Sequence, residues 1–245
     1  MHAPAPFGRG LCRELACGGG DGYDARPMTS LLVVLLLLAA PGFAVAQTGA
    51  RSQFIVLRGA DTVATEDLDF TDTEIRGTLA FHGSKKSEVY RAVVAPDATI
   101  PLIEVTVSEA PNSSAERARV DQRARVIFRH DSVAIDDISG HGAQTRIFPT
   151  QVGALPYLNL SFGLLEQAIR RAALLGKDSV KVAFFNLSSS QTKAAGATAV
   201  GTIARLAADS IALDLGDIEF RLRVDAQGRL TGGGIPAQRL SIERR

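Results

Sequence analysis

Three histidines follow the opening segments of this 245-residue chain, at His82, His130 and His141. A serine hydrolase needs a serine presented on a sharp turn, a histidine base and a carboxylate to orient it. Ser139 or Ser161 with His141 and Asp136 is the set the sequence offers. No G-x-S-x-G accompanies it. His141 stands between Gly140 and Gly142, where the backbone is free to move, whereas catalytic geometry must be rigid. Ser161 has a structural task open to it as a helix cap. Metal chemistry has less support still. No H-E-x-x-H or close histidine pair occurs, and Asp136-Asp137 gives too few oxygens for calcium. Gly232-Gly233-Gly234 lacks the following helix and Lys-Ser/Thr of a phosphate loop. The expectation is a non-enzymatic protein without a metal or cofactor.

A row of cations is the second chemical feature. Between Arg119 and Arg129 the odd positions are Arg119, Asp121, Arg123, Arg125, Ile127 and Arg129. In a strand, alternate residues share a face, so Arg119, Arg123, Arg125 and Arg129 are expected side by side. Arginine forks fit carboxylates and phosphates. Such a face could hold acidic lipid headgroups, envelope polyanions or a partner protein. The alternative is a solvated face, its arginines paired across strands to residues such as Glu104 or Glu219.

The elements that must position these residues are mostly strands. Apolar residues recur with period 2 over 53–58, 62–70, 74–81, 87–94, 102–108, 117–129, 132–136, 144–148 and 180–185. The pattern resumes over 192–206, 210–215, 218–224 and 240–243. Four times an Asp-Ser/Thr pair precedes a β-branched residue, at Asp61, Asp131, Asp178 and Asp209. Short polar side chains satisfy turn N–H groups there, and a strand then begins. Between the strands one amphipathic helix is expected, from about Ser161 to Leu175, with Phe162, Leu165, Ile169 and Ala172 on one face. Glu166 and Arg170 are placed on its exposed side as an i,i+4 pair. Asn159 or Ser161 caps its start, and Gly176 follows its end. The fold class is mainly β (α+β): a curved antiparallel sheet, half-barrel or sandwich, with one packed helix.

Composition bounds the setting. The chain has 27 basic and 26 acidic residues, which argues against a nucleic-acid binder. Leu31–Ala40 is a short apolar run, followed by Pro41-Gly42 and the small-x-small pattern Ala44-Val45-Ala46. That is the form of a signal peptide cleaved between Ala46 and Gln47, too short to remain as a membrane span. Residues 1–27 read as a disordered extension before a start at Met28, the alternative being a start at Met1 with an unusually long leader whose charge comes from Arg9, Arg13 and Arg26. Residues 28–46 read as the signal and 47–245 as a single domain. Both cysteines, Cys12 and Cys17, precede the signal, so the mature domain has no disulfide or thiolate site. The expected location is the periplasm or extracellular space.

Gly153-Ala154-Leu155-Pro156, Leu160-Ser161-x-x-Leu164-Leu165 and Arg170-Arg171 resemble the mid-chain helix of uncharacterised bacterial periplasmic half-barrel proteins, distantly similar to the lipoprotein-carrier fold. Phe220–Val224 with Asp225–Leu230 is similar to their closing hairpin. The resemblance spans about residues 153–245 and implies a curved sheet around a helix and an envelope location. It transfers no catalytic residue. Two functions follow as expectations: a binding or accessory domain for an unknown protein or envelope ligand, or a carrier of a lipid or other apolar ligand in the concave sheet. A carrier needs a cavity of roughly 300–1,000 Å³, whereas a scaffold would be packed solid.

Overall fold

In the computed structural model, residues 50–110, 119–187 and 198–245 are described, all within one compact unit, Ala46–Arg245. The expected extension, signal and cleavage site and the strand portions 117–118 and 192–197 lie outside them. The first arm of the chain runs β1 (Ala50–Arg58), β2 (Asp61–Phe70), β3 (Glu74–Phe81), β4 (Lys86–Val93), β5 (Leu102–Glu109), β6 (Arg119–Phe128), β7 (Ser132–Ser139) and β8 (Gly142–Pro149). Then come β9 (Leu155–Tyr157) and α1 (Phe162–Leu174). The second arm is β10 (Ser179–Asn186), β11 (Thr198–Ala207), β12 (Ser210–Asp214), β13 (Glu219–Val224), β14 (Leu230–Ile235) and β15 (Leu240–Arg244). Each Asp-Ser/Thr pair opens a strand, at β2, β7, β10 and β12.

Among the described residues the strands form one sheet in the order β8 to β1, then β15 down to β9. The meander starts in the middle at β1, travels to one edge at β8, reappears at the other edge as β9, and returns to seal β15 against β1. Only residues 150–154 join the two edges. Laid flat, 15 strands at about 4.8 Å spacing would be roughly 67 Å wide. Five linking residues reach about 20 Å at most. The sheet must therefore roll until its edges approach. Contacts between the arms show the closure: Phe185 on β10 meets Phe148 on β8 at 5.7 Å and Phe128 on β6 at 6.1 Å. Thr150 and Thr198 share a hydroxyl bond of 3.0 Å.

Every pairing is antiparallel except β9 with β10. A parallel pair needs a crossover, usually a helix, and α1 is that crossover. Ser161 caps it, its Oγ accepting from the Leu164 N–H at 3.4 Å. Every residue from Phe162 to Ile169 is buried, so the first turns are enclosed on all sides rather than along one stripe. This corrects the expected exposed Glu166–Arg170 pair. Glu166 is buried and binds Arg244 at the end of β15, 2.8 Å away. Arg170 reaches Asp72 at 4.0 Å and lies over the Phe70 ring.

Candidate ligand cleft

Two groups of polar side chains surround α1, and a cleft opens beside it. The first group lies at the helix start. On β2, Ala64, Glu66 and Leu68 all point into the core, and Glu66 is 1% exposed. Its Oε1 accepts from Tyr90 (2.7 Å) and Ser161 (2.8 Å); its Oε2 accepts from the N–H groups of Phe162 (2.6 Å) and Gly163 (3.1 Å). The carboxylate thus occupies the anion position at a helix N-terminus. Two glycines make the space: a Cβ on Gly77 would stand 2.2 Å from the Tyr90 ring, and one on Gly163 2.7 Å from the Tyr90 hydroxyl. Burial pushes the Glu66 carboxyl up to about 7 against the pull of those four donors. When protonated, Oε1 can donate its one proton to either hydroxyl, while Oε2 keeps both N–H bonds. The same burial and the nearby Glu66 charge hold the Tyr90 phenol well above its ordinary value.

The second group is Glu166 with Arg244. Glu166 Oε2 accepts from Arg244 at 2.8 Å and from the Leu230 N–H at 3.0 Å. Arg244 also donates to Leu230 O and Ser52 Oγ and lies over the Phe54 ring. Burial raises the Glu166 carboxyl, with Arg244 pulling it back. Among the described residues Glu66 lines no cavity and holds the helix in place, whereas Glu166 and Arg244 dock the helix to β15 and also line a space of about 210 Å³ with Phe70, Arg170 and Arg229.

Beside the C-terminal half of α1 lies a cleft of about 460 Å³. One side is the segment after β4, Val94 to Ala98; the other is Ile203 and Ile211 on β11 and β12, and the β13–β14 turn closes the end. Helix residues Gln167, Ile169 and Arg170 form the floor. Gln167 is fully buried. Its Nε2 donates to Ala98 O at 3.0 Å, and its Oε1 has no hydrogen-bond partner among the described residues. An unmet buried acceptor of this kind costs about 1–3 kcal/mol. Arg170, Lys177 and Arg205 line the cleft together with Asp72, Asp178 and Asp225, so its polar lining carries balanced charge. A second, smaller space of about 40 Å³ lies among Glu88, Val105, Val107 and Ala124 on the concave face. Burial raises the Glu88 carboxyl there.

The sequence-derived candidates are scattered. His82, His130 and His141 are all exposed in turns between strands. Asp136 accepts from Thr145 on the outer face, Ser139 accepts from the His141 N–H, and Ser161 is buried against Glu66. Asp136 and Ser139 are three apart on β7 and point to opposite faces. No acidic, histidine or cysteine cluster suited to a metal occurs among the described residues. In β6, a register shift sets Val107 against Gln122 but Ser108 against Val120. The extra residue, Asp121, is a bulge that interrupts alternation. Arg119 thereby leaves the face of Arg123 and Arg125 and binds Glu109 at 2.8 Å and Asp121 at 3.0 Å. Arg123, Arg125 and Arg129 are exposed and make no ion pair with described residues. Across the ladder, Arg125 lies between Glu104 and Asp136.

Glu66, Tyr90, Gln167 and Arg244 escape the sequence reading. Glu66 had one visible signal, an acid in the apolar phase of a strand. Gln167 and Glu166 are likewise polar residues inside an apolar helix segment.

No family model matches the sequence, and no curated protein matches it. Among solved structures, a DUF1089 family protein from Pseudomonas aeruginosa is similar, with a TM-score of 0.49 and 18% identity over 70% of this chain and 89% of that one. A likeness at this level assigns no function.

Proposed function

We propose that this chain is an exported bacterial β-domain that binds rather than reacts, and that it holds a small molecule with an apolar body in the cleft beside α1. The observation that carries this reading is the cleft itself. Its volume of about 460 Å³ falls in the range of ligand pockets, roughly 300–1,000 Å³. Ile169, Ile203, Ile211 and Val224 supply an apolar lining, and the unmet Gln167 oxygen asks for a ligand hydroxyl or N–H. The resemblance over residues 153–245 to periplasmic half-barrel proteins points the same way. Export rests on the Met28–Gln47 segment; among the described residues no helix is long and apolar enough to cross a membrane. The dispersal of Ser139, Ser161, His141 and Asp136 favours binding over hydrolysis.

Mass spectrometry of organic extracts from the natively purified protein should release a stoichiometric amphipathic molecule. Ala173 is an exposed helix residue lining the cleft. Ala173→Trp should fill the opening and abolish that recovery with the melting temperature unchanged. An empty extract, together with no binding of an apolar fluorescent probe that Ala173→Trp blocks, would overturn the carrier reading.

A further inference from the structure

The two edges of the sheet are finished differently. β9 has three residues, two of them buried, with Pro156 at its centre; shortness and proline are ways in which sheets blunt an edge. β8 has eight residues, mostly exposed, and pairs with β7 without a register shift from Gly142 to Pro149. Its single charge, Arg146, faces inward toward Asp137 at 3.6 Å. On the outer side, Ile147 is 65% exposed and Ile138 of β7 58%. A long, bulge-free, weakly charged edge is a template for another strand.

The alternation of the ladder tells which main-chain groups are available. In antiparallel pairs, opposed residues alternately exchange both N–H···O bonds or neither. The Thr150 N–H donates to Asp131 O at 2.9 Å. Counting along the register by twos, Phe148, Arg146 and Gln144 are the β8 residues that bond to β7. Ala143, Thr145 and Ile147 therefore direct their N–H and C=O groups away from the sheet, and nothing among the described residues pairs with that side.

This spacing is self-complementary. When two copies of β8 lie antiparallel about a two-fold axis through Thr145, Thr145 faces Thr145 of the second copy and Ala143 faces its Ile147. Each of these pairs can exchange both main-chain bonds. The large Ile147 meets a small Ala143, and threonine pairs are favourable across strands. On the inner face Arg146 falls opposite Gln144 of the second copy, so like charges do not meet. We propose that β8 is a dimerisation edge, joining two copies into one continuous sheet through Ala143, Thr145 and Ile147, a self-complementary C2 contact.

Sedimentation of the full chain across a concentration series, combined with amide hydrogen exchange, tests this. The wild type should move from monomer to twice that mass. In the dimer, the amides of Ala143, Thr145 and Ile147 should exchange at least about tenfold more slowly than in a monomeric variant. Thr145→Pro removes the central donor, an N–H that β7 does not use, and proline is tolerated at such an edge position. Ile147→Lys leaves the backbone intact and adds an edge charge. Both should remain monomeric, and Ile147→Lys decides alone if the proline variant fails to fold. A wild type that stays monomeric at millimolar concentration would overturn the proposal. So would a dimer that survives both substitutions, or slow exchange at the three amides in a monomer, which would mean another segment of the chain covers the edge.

Discussion

Two buried glutamates brace α1, and opposite means keep them there. Glu66 meets no cation; main-chain N–H groups and two hydroxyls surround it. Glu166, one turn further on, is matched by a full counter-charge from Arg244. An ion pair is made of two side chains and can be replaced as a pair. Donors belonging to a helix terminus are main-chain groups that exchanging one ordinary side chain for another leaves in place, because every helix leaves its first N–H groups unbonded. The first glutamate is therefore tied to the existence of the helix, the second only to its docking.

Substitution can break that comparison. Glu66→Ala strands two main-chain donors in the core and leaves the Tyr90 and Ser161 hydroxyls, 3.0 Å apart, to bond each other; it should cost about 3–5 kcal/mol by urea unfolding. No second substitution should restore it. Glu166→Met alone leaves Arg244 without its partner. The double variant Glu166→Met with Arg244→Met removes both charges and leaves only the Leu230 main-chain groups unmet, so it should recover to within about 1–3 kcal/mol of wild type. A double variant as damaged as Glu66→Ala would make the two sites equivalent.

Titration sharpens the contrast. The Glu66 carboxyl goes from an ordinary 4.5 to about 7 in the folded protein. Between those values the folded state holds a proton that the unfolded chain has released. Its stabilising contribution is thus present below pH 4.5 and lost as pH rises through 7, on the order of 3 kcal/mol in all. Chemical denaturation at stepped pH should show this decline in the wild type. Glu66→Gln should flatten it, leaving the residual slope of the same sign from Glu166 and Glu88. An unchanged slope would remove Glu66 as its source. At the small end stands the surface: Arg123→Gln with Arg125→Gln should change stability by no more than about 0.5 kcal/mol, measured in the same urea series.

Much of the fold was legible, because alternation survives wherever side chains report the two faces. Two strands escaped the reading for that reason. β9 is three residues around a proline. β14 runs Leu-Thr-Gly-Gly-Gly-Ile, and its glycines have no side chain to alternate. They are required by close backbone approach: a Cβ on Gly233 would stand 2.3 Å from Arg221 O, and one on Gly234 2.6 Å from Leu240 O. The arginine row shows the opposite error, alternation extended through a bulge that only the partner strand reveals. The polar core was hardly legible at all. Tyr90 and Ser161 lie 24 and 95 positions from Glu66, and no local pattern links residues so far apart.

The five-residue tie between β8 and β9 also brings the order of the strands close to that of a ring. Gln53 and Arg245 exchange main-chain bonds of 3.1 and 2.8 Å, so the start of the sheet in sequence lies against its finish. Cut within 150–154 and joined from Arg245 to Ala50, the same residues would run β9 through β15 and then β1 through β8, each strand beside its predecessor. Sequence order and spatial order would then coincide. The present chain is a circular permutant of a meander whose first step, β9 to β10, is the α1 crossover, opened at its centre rather than at its rim. Opening it there makes the β1–β15 ladder a seam between the first and last strands, while the tie holds the two rims together.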